Sequence, residues 1–192
     1  VFVADVSIYS EIHSVGNLML FWAHTDEHGY ELWASDGTTA GTYEVIDINP
    51  GTAGSLRSGW MAVYRDKLYF SAEDAQHGER VWVSDGTAAG TVPFLDGGFV
   101  LDPSQIIDGV LFMRESHSEG GGVNEMWMTD GTPSGTIRLD LDYLEDRELF
   151  GSTGRIYNED THPLYGNEIY AIRGNEITVN FEEGAAPLTS SG

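Results

Sequence analysis

One pattern is written three times in this chain, as Glu31–Thr42 (ELWASDGTTAGT), Val81–Thr91 (VWVSDGTAAGT) and Met126–Thr136 (MWMTDGTPSGT). Each copy is a short apolar run, then Ser/Thr-Asp-Gly-Thr, then small residues and a second Gly-Thr. The physical reading is strand, tight turn, strand. Trp33, Trp82 and Trp127 supply bulk and β-propensity for a packed face. Asp36, Asp85 and Asp130 can accept bonds from backbone N–H groups further along, and the glycine after each tolerates a positive φ. Asp-Gly between apolar runs is a strong local hairpin signal.

Spacing sets the architecture. Trp33 and Trp82 stand 49 residues apart, Trp82 and Trp127 45, and another 43 lead to Tyr170 in a degenerate fourth copy, Glu168–Gly174, without the Asp-Gly-Thr. A period of about 40–50 residues with several strands in each points to propeller blades. Four strand signals fall in each period. They predict an all-β fold: a β-propeller, or a four-blade segment of one, made of four-stranded antiparallel repeats. The cycles are expected at about 7–48, 49–96, 97–142 and 143–183. Residues 1–6 would add an extra strand, the repetitive domain would span 1–183, and 184–192 would form a flexible tail. Within the cycles the first strands are expected at Ser10–Val15, Trp60–Tyr64, Ser104–Ile107 and Glu148–Gly151. An unpaired Val1–Val6 strand would leave an edge open to a neighbouring chain or to further blades of a larger assembly.

The chain is acidic, with a formal charge of −22. That argues against nucleic-acid and anionic-membrane partners. It contains no cysteine, which excludes disulfides, thiolate metal ligands and thiol catalysis. No apolar run reaches the length of a membrane-spanning helix. The opening at Val1, without Met, reads as a processed or trimmed product.

Glu31-Leu-Trp-Ala-Ser-Asp-Gly-Thr and its imperfect copies resemble the ELWxxDGT repeat of secreted bacterial proteins. The segment Leu68–Gly78, a strand followed by an acidic loop and Gly, fits the same pattern. The resemblance covers about Val15 to Phe181. It implies a propeller-like array in an exported protein, at the cell surface, secreted or periplasmic, with no activity that carries over residue by residue. The second copy departs with Arg80 in the place of Glu31, the third with Glu125-Met126, and the fourth lacks the turn.

Residues for chemistry gather on one expected face. His28, His77, His117 and His162 each fall between the second and third strands of a cycle, beside acidic neighbours. In an up-and-down blade that loop shares a face with the connection to the next blade, which carries Asp47, Asp96, Asp140 and Asp142. The Asp-Gly-Thr turns lie on the opposite face, where their residues read as structural. The carboxylate- and imidazole-rich face reads as a solvated acidic surface or as a contact surface for a protein or glycan partner. Ca²⁺ is a candidate cofactor through Asp47, Asp96, Asp140 and Asp142, because oxygen ligands suit it. Trp22 and Trp60, outside the repeated motif, are the candidate exposed aromatic platform. No phosphate loop, HExxH or Gly-x-Ser-x-Gly occurs. The expected function is therefore a non-catalytic extracellular binding or structural module. The alternative is a propeller hydrolase or lyase using a carboxylate pair.

Overall fold

The computed structural model describes residues 6–95, 100–107, 109–116, 126–139, 149–152, 155–162, 166–173 and 176–180. The expected extra strand at Val1–Val6, apart from Val6, and the tail at 184–192 lie outside them.

Among the described residues four antiparallel sheets follow one another along the chain. The first contains β1 (Ser7–Ile8), β2 (His13–Val15), β3 (Leu18–Thr25), β4 (Gly29–Ser35) and β5 (Thr42–Ile46). The second contains β6 (Leu56–Tyr64), β7 (Lys67–Asp74), β8 (Gly78–Ser84) and β9 (Val92–Pro93). The third contains β10 (Val100–Ile107), β11 (Val110–Ser116), β12 (Met126–Thr129) and β13 (Thr136–Leu139). The fourth contains β14 (Leu149–Ser152), β15 (Arg155–His162), β16 (Gly166–Arg173) and β17 (Glu176–Asn180). In the second to fourth sheets the strands pair in chain order, the meander of a propeller blade, and the first sheet follows it from β3 on, with β1 and β2 both paired to β3. The chain is an all-β fold of the propeller type. Among the described residues no helix is long and apolar enough to cross a membrane.

First strands differ most from the expectation. Ser10–Val15 is not one strand: β1 pairs with the far half of β3 and β2 with its near half, with the backbone leaving the ladder after Tyr9 and before His13. The second sheet begins earlier than Trp60, at Leu56, because a bulge between Leu56 and Met61 lets the ladder resume. A further irregularity lies between Asp102 and Gln105 in β10. Extra residues in an innermost strand cannot be read from apolar alternation, since a bulge shifts its phase.

Strand alternation packs each sheet against the next. Leu20, Trp22, Leu32 and Ala34 point one way and meet Leu68, Phe70, Ala72 and Trp82 of the second sheet. One residue out of phase, Tyr69, Val81 and Val83 point the other way and meet Leu111 and Met113 of the third. Tyrosine hydroxyls add directional ties between neighbouring sheets. Tyr43 donates to the carbonyl of Gly86 at 2.9 Å and Tyr64 to that of Gly109 at 2.5 Å. Burial pushes the Tyr69 phenol up to about 12, and it donates to the carbonyl of Gly131 at 3.3 Å.

The repeated turn is the same object three times. Asp36 Oδ1 accepts from Thr38 N at 2.9 Å and Thr38 Oγ1 at 2.7 Å. Ser35 Oγ lies 2.7 Å from Thr42 Oγ1, and Gly37 sits at φ 89°. Asp85 and Asp130 repeat these bonds with Thr87 and Thr132. The Thr hydroxyl bond, then the Thr amide, holds each carboxylate below its ordinary range. The second glycine has a separate reason. A Cβ on Gly41, Gly90 or Gly135 would overlap the Asp36, Asp85 or Asp130 carboxylate. Gly90→Ala is therefore expected to destabilise the fold by about 1–3 kcal/mol, a steric cost rather than a φ cost. Paired with Asp85→Ala, the added cost of Gly90→Ala should shrink in urea melts. Simple additivity of the two would refute the clash.

Candidate functional site

The loop joining β3 to β4 turns on Thr25, whose Oγ1 accepts from His28 N at 3.1 Å. This places the His28 ring over the end of β5. Its Nδ1 lies 2.9 Å from both Glu44 carboxylate oxygens, and its Nε2 lies 4.0 Å from Asp47 Oδ2 and 3.9 Å from Glu27 Oε1. His28 is one-third exposed, and Glu44 and Asp47 are largely covered. The Glu44 hydrogen bond holds the imidazole above its ordinary value against a smaller opposing effect of burial. The charges of Glu44, Asp47 and Glu27 act the same way as that bond. The arrangement is a carboxylate orienting one ring nitrogen while the other faces a second carboxylate and solvent. Such a group can give or take a proton near neutral pH.

His28 and Asp47, expected on one face, are thus brought together. His77 is not brought into any such cluster. Asp74 Oδ1 accepts from the amides of Gln76 and His77 at 2.8 Å each, and lies 2.9 Å from His77 Nδ1. His77 closes its own loop. The reason is local: the second sheet has Asp74 where the first has Thr25, and Pro93 pairs with Trp82 where Glu44 pairs with Trp33. His162 is the last residue of β15, its Cα paired with Gly166, rather than a loop residue. His117, Asp96, Asp140 and Asp142 lie outside the described residues. Among the described residues no group of three or more His, Cys, Asp or Glu side chains is placed to hold a metal ion.

Neither tryptophan is an exposed platform. Trp22 is fully buried and meets Phe70 edge-on at 5.5 Å. It belongs to the contact between the first two sheets, because it shares the inward phase of Leu20. Trp60 packs half-buried against the cluster between the second and third sheets. The exposed aromatics are others, which sequence reading passed over. Tyr9 is 66% exposed, its ring 4.9 Å from that of Tyr30, and Tyr30 in turn lies 4.7 Å from His24. A comparison of the repeats carried the signal: His24 pairs with Tyr30 where the second sheet pairs Glu73 with Glu79.

Glu31, the first letter of the motif, is fully buried. It accepts from Ser55 Oγ at 2.6 Å, Ile48 N at 3.2 Å and Asn49 N at 3.3 Å, which ties β4 to the connector leading into the second sheet. Burial pushes its carboxyl up to about 7, the three donors opposing. With no exposed surface, it serves the fold.

No protein-family model and no curated protein matches the chain. Among solved structures it is similar to a xyloglucan-locus GH43B of Bacteroides ovatus, with a TM-score of 0.39 and 13% identity. That likeness covers 95% of this chain and 41% of the other, so the chain spans about two-fifths of its length. It is also similar to an endo-1,4-beta-xylanase from Bacteroides thetaiotaomicron (TM-score 0.35, 15% identity, covering 93% and 72%). A third is an alpha-L-arabinofuranosidase from Clostridium thermocellum (TM-score 0.34, 14% identity, covering 88% and 70%). These neighbours are named for hydrolytic activities, and on that finding the expectation of a non-catalytic binding or structural module is corrected. At such TM-scores no active-site residue of theirs is carried over to this chain.

Proposed function

We propose that the chain is a propeller hydrolase working outside the cytoplasm, with its proton-transfer groups on the rim of the first sheet. The observation that supports it is the Glu44–His28–Asp47 cluster. Glu44 orients Nδ1 at 2.9 Å, and Nε2 and Asp47 Oδ2 stand 4.0 Å apart with His28 partly open to solvent. Cleaving a glycosidic bond needs a proton donor for the leaving oxygen and a carboxylate for the opposite side, and no redox or thiol chemistry. His28, its charged form favoured by the carboxylates around it, is the donor, and Asp47, 4.0 Å from Nε2 and so on the same side of the bond, steadies that charged form, while the carboxylate for the opposite side lies beyond this cluster. Glu44 is a positioning residue for the imidazole. An extracytoplasmic setting agrees with an acidic chain without cysteine.

The test is release of reducing ends from neutral polysaccharides, comparing the wild type with Asp47→Asn and His28→Gln. His28 is one-third exposed and Asp47 largely covered, so melts of both variants accompany the assays and separate lost stability from lost chemistry. His28→Gln is expected to lose about 100-fold or more in rate, and Asp47→Asn less. Because the pKa of His28 is raised, wild-type activity should fall on the alkaline side of its ordinary value, as the donor loses its proton. A wild-type rate in His28→Gln, or no turnover by the wild type on any such polymer, overturns the proposal.

A further inference from the structure

The geometry points to a second feature of the same rim: a sugar-stacking platform made by Tyr9, Tyr30 and His24, which takes a neutral carbohydrate chain. It rests on the hydrolase reading only in treating the bound sugar as substrate. Three observations carry it.

The first is how Tyr9 comes to be exposed. Its amide still donates to Trp22 O at 2.9 Å, but the next ladder bond is made by a side chain, Ser10 Oγ accepting from Trp22 N at 2.9 Å. The strand leaves the sheet there, and Tyr9 remains 66% exposed with Ile8 and Ile12 each 52% exposed beside it. Bulged strand segments commonly re-aim a side chain in this way.

The second is that the platform has a rigid back. Tyr30 O accepts from Ser55 N at 2.9 Å, and the connector passes so close that a Cβ on Gly54 would overlap the Tyr30 backbone. Tyr30 meets Tyr9 and His24 at 4.9 and 4.7 Å between ring centres, tilted by 55° and 61°, so the three rings brace one another as an angled wall of which Tyr9 is the exposed face. Little ordering entropy remains for a ligand to supply.

The third is that the repeat does not ask for these residues. At the cross-strand pair where the first sheet has His24 and Tyr30, the second has Glu73 and Glu79, with the same pairing around them. A blade folds with two carboxylates there, so aromatics serve something other than the blade. Tyrosine combines an apolar face with a polar edge, which matches the C–H face and hydroxyl rim of a sugar ring. A formal charge of −22 repels polyanions, which selects a neutral chain over a uronic-acid or sulfated one. His24 and Tyr30 pair at the end of β3 and β4 from which the loop carrying His28 projects.

Titration calorimetry with cellohexaose, a neutral chain with flat C–H faces, tests this in the wild type, Tyr9→Leu and Asp47→Asn. A hexagalacturonate control tests the charge argument. The wild type and Asp47→Asn should bind cellohexaose alike, while Tyr9→Leu should bind it roughly tenfold more weakly. Tyr9 is exposed, so the variant should melt with the wild type. Hexagalacturonate should not bind. Equal binding by Tyr9→Leu, absence of binding by the wild type, or preference for hexagalacturonate overturns the platform. Tyr9-dependent binding without any turnover would leave the platform standing and remove the hydrolase reading. Turnover that ignores Tyr9→Leu would do the reverse.

Discussion

Trp22→Ala should destabilise the protein by about 3–5 kcal/mol, the range for removing a large aromatic from a packed interior. Trp22 has no exposed surface and fills the contact between the first two sheets, edge-on to Phe70 and opposite Leu32. Leu20, Leu32 and Leu68 around it are fully buried strand residues, so the backbone has little freedom to collapse into the void. Trp22→Phe should cost far less. The indole Nε1 is buried with no hydrogen-bond partner, and removing an unpaired buried donor returns about 1–3 kcal/mol against the lost area. Urea melts rank the two variants. A Trp22→Ala protein as stable as the wild type would mean that the sheets do not meet at this residue.

Glu31→Gln should change how stability depends on pH. The folded pKa of Glu31 is raised from 4.5 to about 7, because burial disfavours its charged form. A raised folded pKa gives a contribution that is full below the unfolded value, 4.5, and is lost as pH rises through about 7. Each pH step of one between those two values is worth roughly 1.4 kcal/mol, so the wild type should lose about 3 kcal/mol across the window from this group. Glutamine cannot ionise, so the variant should gain on the wild type by that amount between pH 4.5 and about 7. His28 works in the same direction above its ordinary value, and the three turn aspartates work oppositely, only below about 3.8. Neither falls into the difference between the two proteins. Chemical melts at several pH values supply the curve, and a difference that stays flat across the window would place Glu31 in contact with water.

The histidine pair illustrates how far residue spacing reaches. His28 and His77 occupy the same repeat position, each followed by Gly, and are indistinguishable as sequence. One reaches across to Glu44, while the other folds onto Asp74 in its own loop. The difference is made by Thr25 against Asp74 and Glu44 against Pro93, at positions 3 and 16 residues from each histidine. Only strand register makes the distant pair neighbours. The tryptophans teach the same lesson through phase. Trp22 looks free because it falls outside the motif, but two-residue alternation from Leu20 turns it into the core.

What the chain determines by itself is therefore the repeat and its chemistry. Ser/Thr-Asp-Gly-Thr and the second Gly-Thr encode a turn whose bonds all lie within eight residues, so its type, its spacing and the four-strand meander follow from local rules. The tertiary structure alone decided which rim residues meet. Burying Trp22 and Glu31, exposing Tyr9 at a break in the first strand, and setting Glu44 and Asp47 about His28 all depend on register, on the phase shift of a bulge and on the path of the connector. Those are fixed by packing between strands distant in sequence, where a single inserted residue reverses which face a side chain occupies.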